Sequence, residues 1–316
     1  MASIALLDDY QNVALEMADW SRLQAAHRIT VFNQHIKDVD TLAKALAGFE
    51  IIGIMRERTP FTSALFEKLP NLKLLITTGM RNASVDMKAA ADHKVTVCGT
   101  NAGNHATAEL AFGLLLSLAR HLHTEFRNMR EGRWQTTVGN DVRGKTLGLL
   151  GLGRLGGEVA KYAKVFGMNT IAWSQNLTTE RATEAGVERV EKADLFRRAD
   201  FVSVHLVLSD RSRGLVSAPE LALMKPTASI INTSRGPIID IGALAAALKE
   251  KRIAGAALDV YDSEPLAADH PIRSEPRAVL TPHIGYVTEE TYRTFYGNMV
   301  ESIDGWLAGK PVRVIS

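Results

Sequence analysis

Three short polar stretches in the second half of the chain carry residue types suited to proton transfer and to binding a carboxylate. They are Thr233–Gly236 (TSRG), Asp259–Pro265 (DVYDSEP) and Thr281–Gly285 (TPHIG). Each follows a short apolar run typical of a buried strand, and the carboxyl ends of parallel strands meet at one edge of a sheet, where ligands bind. The pattern therefore predicts one polar site assembled from three loops.

The ionisable residues of these loops have complementary chemistry. Arg235 offers two parallel donors to the two oxygens of a carboxylate. His283 is the side chain best suited to give and take a proton near neutral pH, and Glu264 would orient its ring if the two meet. Singly, Arg235 and Glu264 are also compatible with surface ions and His283 with a core histidine. Their occurrence in three loops at one predicted sheet edge favours catalysis.

A glycine-rich stretch, Thr146–Gly157 (TLGLLGLGRLGG), precedes these loops and contains GxGxxG at Gly151, Gly153 and Gly156. The apolar run before it predicts a strand, helical spacing follows it, and Asn169–Trp173 predicts a second strand. A βαβ unit of about thirty residues is the context that a dinucleotide fingerprint requires. The glycines would permit a tight turn, close approach of a pyrophosphate and close helix packing, with Arg154 and Leu155 opening the helix.

The remaining elements must position these motifs, and they alternate between strand-like and helical runs from the start of the chain. This alternation predicts an α/β fold with two doubly wound parallel sheets, one before the fingerprint and one around it. The helical patterns include a helix near Val13–Leu23, a long apolar helix over Asn104–His123 and a last helix over Thr288–Leu307. A length of 316 residues suits two domains.

Composition excludes several classes of function. The formal net charge is only +2, which gives no global reason to expect nucleic acid as a partner. The longest apolar run, near Leu114–Ala119, is too short to span a bilayer, and MASIALLDDY lacks the basic start of a secretory signal. We therefore expect a cytoplasmic protein without a membrane partner or bound metal, in which the single Cys98 is a small buried residue.

The order of the motifs resembles that of the D-isomer-specific 2-hydroxyacid dehydrogenases over essentially the whole chain. The resemblance implies that Arg235 binds the substrate carboxylate, Glu264 is the carboxylate of a dyad and His283 is the general acid and base. It also implies that Asp259 holds the nicotinamide ring. The residues predicted to bind the cofactor are Gly151, Gly153, Arg154, Leu155, Gly156, Ser174, Gln175, Thr233 and Asp259.

The resemblance further implies a Rossmann cofactor domain, residues 101–284, inserted into a flavodoxin-like substrate domain, residues 1–100 and 285–316. The domains would be hinged and the protein a homodimer. The implied reaction transfers a hydride between NAD(P)H and a small 2-keto acid. Two alternatives share the fold: a nucleotide-sensing binding protein of the corepressor type, and a formate dehydrogenase, which Glu264 disfavours because that enzyme pairs its histidine with glutamine.

Two departures from the family pattern bear on specificity. Ser174, Gln175 and Asn176 stand where an acid usually binds the adenosine ribose, so the cofactor is NAD or NADP, with NADP(H) favoured and Arg181 available to assist. In the predicted substrate loop, Arg81 stands where the family usually has glycine. A second anionic group on the substrate would explain it, whereas a structural ion pair is the alternative. The predicted substrate residues are Arg56, Gly79, Met80, Arg81 and Arg235.

Overall fold

The structure is a computed structural model that describes residues 1–103 and 105–315. The chain divides into two compact units, one formed by Met1–Gly103 with Val287–Ser316 and the other by Asn104–Tyr286. The sequence placed the corresponding domain limits after residues 100 and 284. The second unit is thus an insertion in the chain of the first.

The first unit contains one parallel sheet of five strands in the order β2-β1-β3-β4-β5. This is the flavodoxin-like order, in which the chain reverses its direction of winding between β1 and β3. The strands are β1 Ser3–Leu6, β2 Arg28–Val31, β3 Ile51–Ile54, β4 Leu74–Thr77 and β5 Thr96–Cys98. The helices are α1 Ser21–Ala26, α2 Val39–Leu46, α3 Ser63–Phe66, α4 Met87–Asp92 and a C-terminal helix, Glu289–Leu307.

The centre of this sheet is apolar on both faces. β3 and β4 are buried along their whole length, as expected for parallel strands covered on both sides. The C-terminal helix buries Tyr292, Phe295, Tyr296 and Met299 within the same unit. A Cβ added at Gly53 would lie 3.1 Å from the sulfur of Met299, so the glycine permits close packing there.

The predicted helix near Val13–Leu23 is wrong for most of its length, because only α1, Ser21–Ala26, is helical. Side chains capture the backbone groups that a helix would need. The Asp9 carboxylate accepts the Ala14 N–H at 2.7 Å, and the indole N–H of Trp20 donates to the Ala14 carbonyl at 2.9 Å. Such local side-chain bonds compete with helix formation and leave a series of turns.

The second unit contains a parallel sheet of seven strands in the order β12-β11-β10-β9-β6-β7-β8. This is a Rossmann order, with the change of winding direction between β6 and β9. The strands are β6 Thr146–Leu150, β7 Asn169–Trp173, β8 Glu188–Arg189, β9 Phe201–Val204, β10 Ser229–Asn232, β11 Gly255–Leu258 and β12 Ala278–Leu280. The helices are α5 Ala106–Ala119, α6 Leu122–Arg130, α7 Arg154–Val165, α8 Thr179–Glu184, α9 Lys192–Arg198, α10 Ala218–Leu223 and α11 Ile241–Lys249.

Two apolar cores cover the two faces of this sheet. Successive residues of one strand enter different cores: Ile230 and Ala256 pack into one, whereas Ile231 and Ala257 pack into the other. This alternation follows from the two-residue period of a strand and explains why the strands are apolar throughout. The predicted pair of doubly wound α/β layers is therefore confirmed.

The predicted continuous helix over Asn104–His123 is wrong at its end, and Asn104 itself lies outside the described residues. The helix breaks after α5, because His121 adopts the left-handed conformation with φ of 51°, and α6 begins at Leu122. Neither glycine nor proline marks the break, so the apolar periodicity conceals it. Within residues 1–103 and 105–315, no helix combines the length and apolar character needed to cross a membrane.

Candidate active site

The glycine-rich turn joins β6 to α7 and has the geometry that its three glycines predict. Gly151 has φ of +101°, and an added Cβ there would lie 2.7 Å from the carbonyl oxygen of His205. At Gly156 an added Cβ would lie 2.1 Å from the Gly151 carbonyl oxygen, whereas at Gly153 it would meet no described atom within 4 Å. Packing thus requires glycine at two positions, and the third borders open space.

The amino end of α7 has the properties of an anion site. Its cap residue, Gly153, forms no side-chain capping bond, so the first N–H groups of this twelve-residue helix remain available together with its positive dipole end. Arg154 is exposed and Leu155 half-buried in the first turn. The end of β7 lies beside β6 in the sheet and leads into half-buried Ser174 and exposed Gln175.

Two buried polar atoms follow neighbouring strands of this sheet and have no hydrogen-bond partner in the described part of the chain. They are Thr233 Oγ1, after β10, and His205 Nδ1, after β9. The other ring nitrogen of His205 lies 2.9 Å from the Ser203 hydroxyl, and burial lowers the pKa of His205 to about 4. Orphan polar atoms of this kind are costly unless a ligand satisfies them.

His205 was not among the predicted site residues. Its signal in the sequence is its position directly after β9, the strand beside β6 where the sheet changes its winding direction. Ligands of open α/β sheets bind at this switch point. Because the strand order is not visible in the sequence, the position of His205 next to the glycine turn emerges only from the structure.

The three predicted catalytic loops follow three adjacent strands, β10, β11 and β12. The loop that carries Arg235 packs directly against the loop that carries Glu264, since a Cβ added at Gly236 would lie 2.1 Å from the carbonyl carbon of Tyr261. The Arg235 side chain is half-buried and donates from Nη1 to the Ser234 carbonyl at 2.7 Å. The loops therefore meet at one sheet edge.

His283 and Glu264 form a close pair. The distance between His283 Nδ1 and Glu264 Oε2 is 2.5 Å, and the other carboxylate oxygen accepts the Tyr261 N–H at 2.9 Å. Both carboxylate oxygens are thus engaged, which fixes the position of the acceptor. A proton on His283 Nδ1 is held by Glu264, so Nε2 is the ring atom left for exchange with a substrate.

The loop around His283 is held by the buried carboxylate of Asp259. One oxygen accepts the Thr281 hydroxyl at 2.6 Å and the Ile284 N–H at 2.8 Å, and the other accepts the Gly285 N–H at 2.8 Å. These bonds hold His283 at φ of 54°, a left-handed conformation that non-glycine residues rarely adopt. Burial raises the pKa of Asp259, and the bonds from the loop oppose this shift.

The four remaining predicted substrate residues lie in the first unit, after β3 and β4. Arg56 donates from Nη1 to the Thr78 carbonyl at 2.9 Å, and a Cβ added at Gly79 would lie 2.1 Å from that same nitrogen. Gly79 has φ of +87°, a conformation that favours glycine, and a side chain there would displace the Arg56 guanidinium. Met80 and Arg81 are exposed. The structure therefore brings Arg56 and Gly79 together and leaves Arg81 facing solvent within its unit.

A second aromatic ring contacts His283. The centroid of the Tyr286 ring lies 5.4 Å from that of the imidazole, with an angle of 77° between the ring planes. Tyr286 was not predicted as a site residue. It directly follows the TPHIG motif, which ends at Gly285, so the motif alone does not include it.

The Rossmann strand order, the glycine turn and the orphan atoms at the carboxyl edge define a dinucleotide-binding α/β protein. Residues 112–285 match the family described as "D-isomer specific 2-hydroxyacid dehydrogenase, NAD binding domain". The chain belongs to this family of oxidoreductases. The resemblance of its motifs to that family is thereby confirmed, and NAD(P) is the class of cofactor that the match supports.

Several relatives extend the similarity beyond the matched segment. The chain is 37% identical over 256 residues to the glyoxylate reductase of Aeropyrum pernix, covering 78% of this chain and 76% of that protein. It is 33% identical over 286 residues to the hydroxypyruvate reductase of Thermotoga maritima, covering 89% and 92%. It is 36% identical over 263 residues to the D-3-phosphoglycerate dehydrogenase of Synechocystis sp., covering 82% of this chain but only 47% of that protein.

The chain spans about half the length of this relative and of two further curated relatives that are also named D-3-phosphoglycerate dehydrogenase. A solved structure described as a putative D-3-phosphoglycerate dehydrogenase from Ralstonia solanacearum superposes with a TM-score of 0.94 at 33% identity. The superposition covers 99% of this chain and 96% of that one. Both units of the fold thus have a counterpart in one solved chain.

Proposed function

We propose that the protein is an NAD(P)-dependent 2-keto acid reductase that forms a D-2-hydroxy acid. The observation that carries the proposal is the His283–Glu264 pair, 2.5 Å apart, on the sheet edge that also bears Arg235. This chain covers most of the length of two relatives, which are named glyoxylate reductase and hydroxypyruvate reductase. Both names refer to small 2-keto acids. The names of these relatives favour the enzyme over the nucleotide-sensing alternative.

The cofactor-binding residues are proposed from features that fit a dinucleotide. The uncapped end of α7 suits a pyrophosphate, with Gly151, Gly153 and Gly156 shaping the turn. Thr233 Oγ1 is a buried polar atom that a ligand at the carboxyl edge would satisfy. Asp259 offers one lone-pair position beyond its three bonds to the histidine loop.

NADP(H) is the cofactor that we favour. The residues after β7 are Ser174, Gln175 and Asn176, so no carboxylate there repels a 2′-phosphate. Hydroxyl and amide groups can donate to such a phosphate. Arg181, in the following helix α8, is exposed and could contribute a positive charge. The alternative is that these residues are ordinary loop residues and NAD binds through other contacts.

The mechanism follows from three side chains. Arg235 binds the substrate carboxylate through two parallel donors and so orients the 2-keto group. His283 gives the proton on Nε2 to the carbonyl oxygen, while Glu264 holds Nδ1 and stabilises the charged ring. The bound dinucleotide supplies the hydride. Arg56, Gly79, Met80 and Arg81, all in the first unit, remain the residues predicted to contact the substrate.

The proposal also includes a homodimer. Four apolar side chains on α6 and the segment after it are strongly exposed: Phe126 65%, Met129 57%, Trp134 73% and Val138 91%. We call this group the Trp134 surface. The Glu125 carboxylate holds the segment against α6 by accepting the Thr136 N–H and the Thr137 hydroxyl. A held apolar surface of this kind is typical of a protein contact.

The experiment is a panel of 2-keto acids, including glyoxylate, hydroxypyruvate and a dicarboxylic keto acid, assayed with NADH and with NADPH. We expect reduction of at least one acid to the D-2-hydroxy acid, identified by chiral chromatography. No oxidation of either cofactor with any acid would contradict the proposed function. A preference for NADH of more than about tenfold, or 1.4 kcal/mol, would contradict the choice of NADP(H) alone.

A further inference from the structure

We propose that Tyr286 is a positioning residue for His283: its ring gives the imidazole a second contact, in addition to the bond with Glu264. The inference rests on the proposed function for its meaning in catalysis, but the restraint itself is a property of the structure. The two rings meet at a centroid distance of 5.4 Å with planes 77° apart, an edge-to-face arrangement that aromatic pairs prefer.

One hydrogen bond does not fix an imidazole. The 2.5 Å bond from Nδ1 to Glu264 holds one ring atom, yet the ring can still tilt about that contact. The torsion that turns an imidazole about its bond to Cβ is broad, so it supplies little restraint of its own. A second contact, from a ring whose plane lies 77° from that of the imidazole, limits this tilt. Glu264 and Tyr286 together therefore determine the direction in which Nε2 points.

The position of the Tyr286 ring is itself fixed by the backbone before it. The Gly285 N–H donates to the Asp259 carboxylate at 2.8 Å, and the Gly285 carbonyl accepts the Thr107 hydroxyl at 2.9 Å. An added Cβ at Gly285 would lie 3.1 Å from atoms of both residues, so the chain is tightly held on both sides. Tyr286 directly follows this held residue, so its backbone is anchored close to the imidazole.

The direction of Nε2 matters because displacing a proton donor by about 1 Å can lower the reaction rate on the order of 100-fold. Truncating Tyr286 should therefore lower kcat by about 10-fold to 100-fold, and it should leave the KM for the dinucleotide near its wild-type value. Tyr286→Phe keeps the ring and should retain kcat within about threefold, so the conservative variant distinguishes the ring from the hydroxyl.

The primary test observes His283 directly and does not depend on turnover. In protein labelled with ¹⁵N-histidine, the proton on His283 Nδ1 should give a far-downfield NMR resonance because it lies in a short bond to a carboxylate. His283→Gln assigns the resonance by removing it. We expect the resonance to persist in Tyr286→Phe and to broaden or disappear in Tyr286→Ala, where the ring tilts and water exchanges the proton.

Tyr286→Leu serves as a second truncation that fills space without an aromatic ring, in case the alanine variant does not fold. A normal Nδ1 resonance and normal kcat in either folded truncation would overturn the inference. Failure of the proposed function looks different: wild-type protein would reduce no 2-keto acid, while the resonance would still respond to Tyr286. A lowered melting temperature with an unchanged resonance would make Tyr286 a structural residue only and would likewise overturn the inference.

Discussion

At the scale of single residues, the roles of the carboxylates near His283 differ because their surroundings differ. Glu264 is half-buried and bonds to the ring directly, whereas Asp259 is fully buried and bonds to the loop on either side of His283. Glu264 therefore acts on the charge and direction of the imidazole, and Asp259 acts on its backbone. Replacing either by an amide would affect His283, but through a different bond.

Arg81 provides a prediction about the substrate. Its side chain is exposed in the loop after β4, and a guanidinium there suits a distal carboxylate of the substrate. Arg81→Ala should reduce kcat/KM for a dicarboxylic keto acid by the equivalent of about 2–5 kcal/mol, the cost of truncating a charge pair, provided that substrate binding shields the pair from water. The kcat/KM of this variant for a monocarboxylic keto acid should equal that of the wild-type protein.

The comparison uses Lys94→Ala as a matched control, since Lys94 is another exposed cation of the first unit. Both variants are assayed with one monocarboxylic and one dicarboxylic keto acid. Equal losses on the two substrates, or no loss on either, would leave Arg81 as a structural or solvated residue. Surface ion pairs contribute little to stability. A large loss of kcat/KM on the dicarboxylic substrate alone would therefore not be explained by loss of a structural ion pair of Arg81.

At the scale of elements, Asp200 joins the strands that flank the switch point. Its carboxylate accepts the N–H of Thr146, the first residue of β6, at 2.9 Å and the ammonium of Lys225 at 2.8 Å. Burial would raise the pKa of Asp200, but the bonds from Lys225 and Thr146 outweigh it and hold the pKa below its usual value. Asp200→Ala should cost about 1.5–3 kcal/mol of stability.

The contribution of Asp200 to the free energy of unfolding should decrease at acidic pH. A depressed pKa in the folded state stabilises the protein above the ordinary pKa of aspartate, and this stabilisation is lost as the pH falls through the folded-state value. The stability difference between wild type and Asp200→Asn, measured by urea unfolding, should therefore shrink as the pH falls below about 4, the ordinary pKa of aspartate. A difference that is constant or grows on acidification would contradict this account.

The strands and the glycine turn were predictable from the sequence because buried parallel strands and GxGxxG are local patterns. The run Ser229–Asn232 and the run Ala278–Leu280 coincide with β10 and β12 for this reason. The break at His121 was not predictable, since a left-handed histidine has no compositional signal. Nor were the contacts of Tyr286 and His205 predictable, because they depend on loop conformation and strand order.

At the scale of the whole molecule, the ends of the chain cooperate in the first unit. The C-terminal helix packs within this unit, and the residues after it pair with the edge strand β5. The Ile315 N–H donates to the Val97 carbonyl at 3.0 Å, and Val314 forms an antiparallel bridge to Cys98. An edge strand left open is a site of unwanted pairing, and this segment covers it. The first unit therefore becomes complete only after the inserted unit has been synthesised.

The proposed homodimer yields a prediction at the same scale. Trp134→Glu and Val138→Glu each place a charge in the Trp134 surface, and a buried unpaired charge is costly. Each should shift a dimer toward monomer in sedimentation velocity. Val39→Glu, at a half-exposed apolar position of the first unit, serves as the control and should not change the sedimentation coefficient. Monomeric wild-type protein would contradict the homodimer.

Whether His283 is the proton donor can be measured by single-turnover reduction of the best 2-keto acid by His283→Ala, together with the dinucleotide affinity of this variant. If His283 gives the proton to the carbonyl oxygen, the rate should fall by about 10²–10⁴-fold, as is typical of losing a general acid. The affinity for the dinucleotide should stay near wild type, because the glycine turn at α7 and Thr233 remain in place. A rate of reduction equal to that of the wild-type protein would show that His283 is not the proton donor.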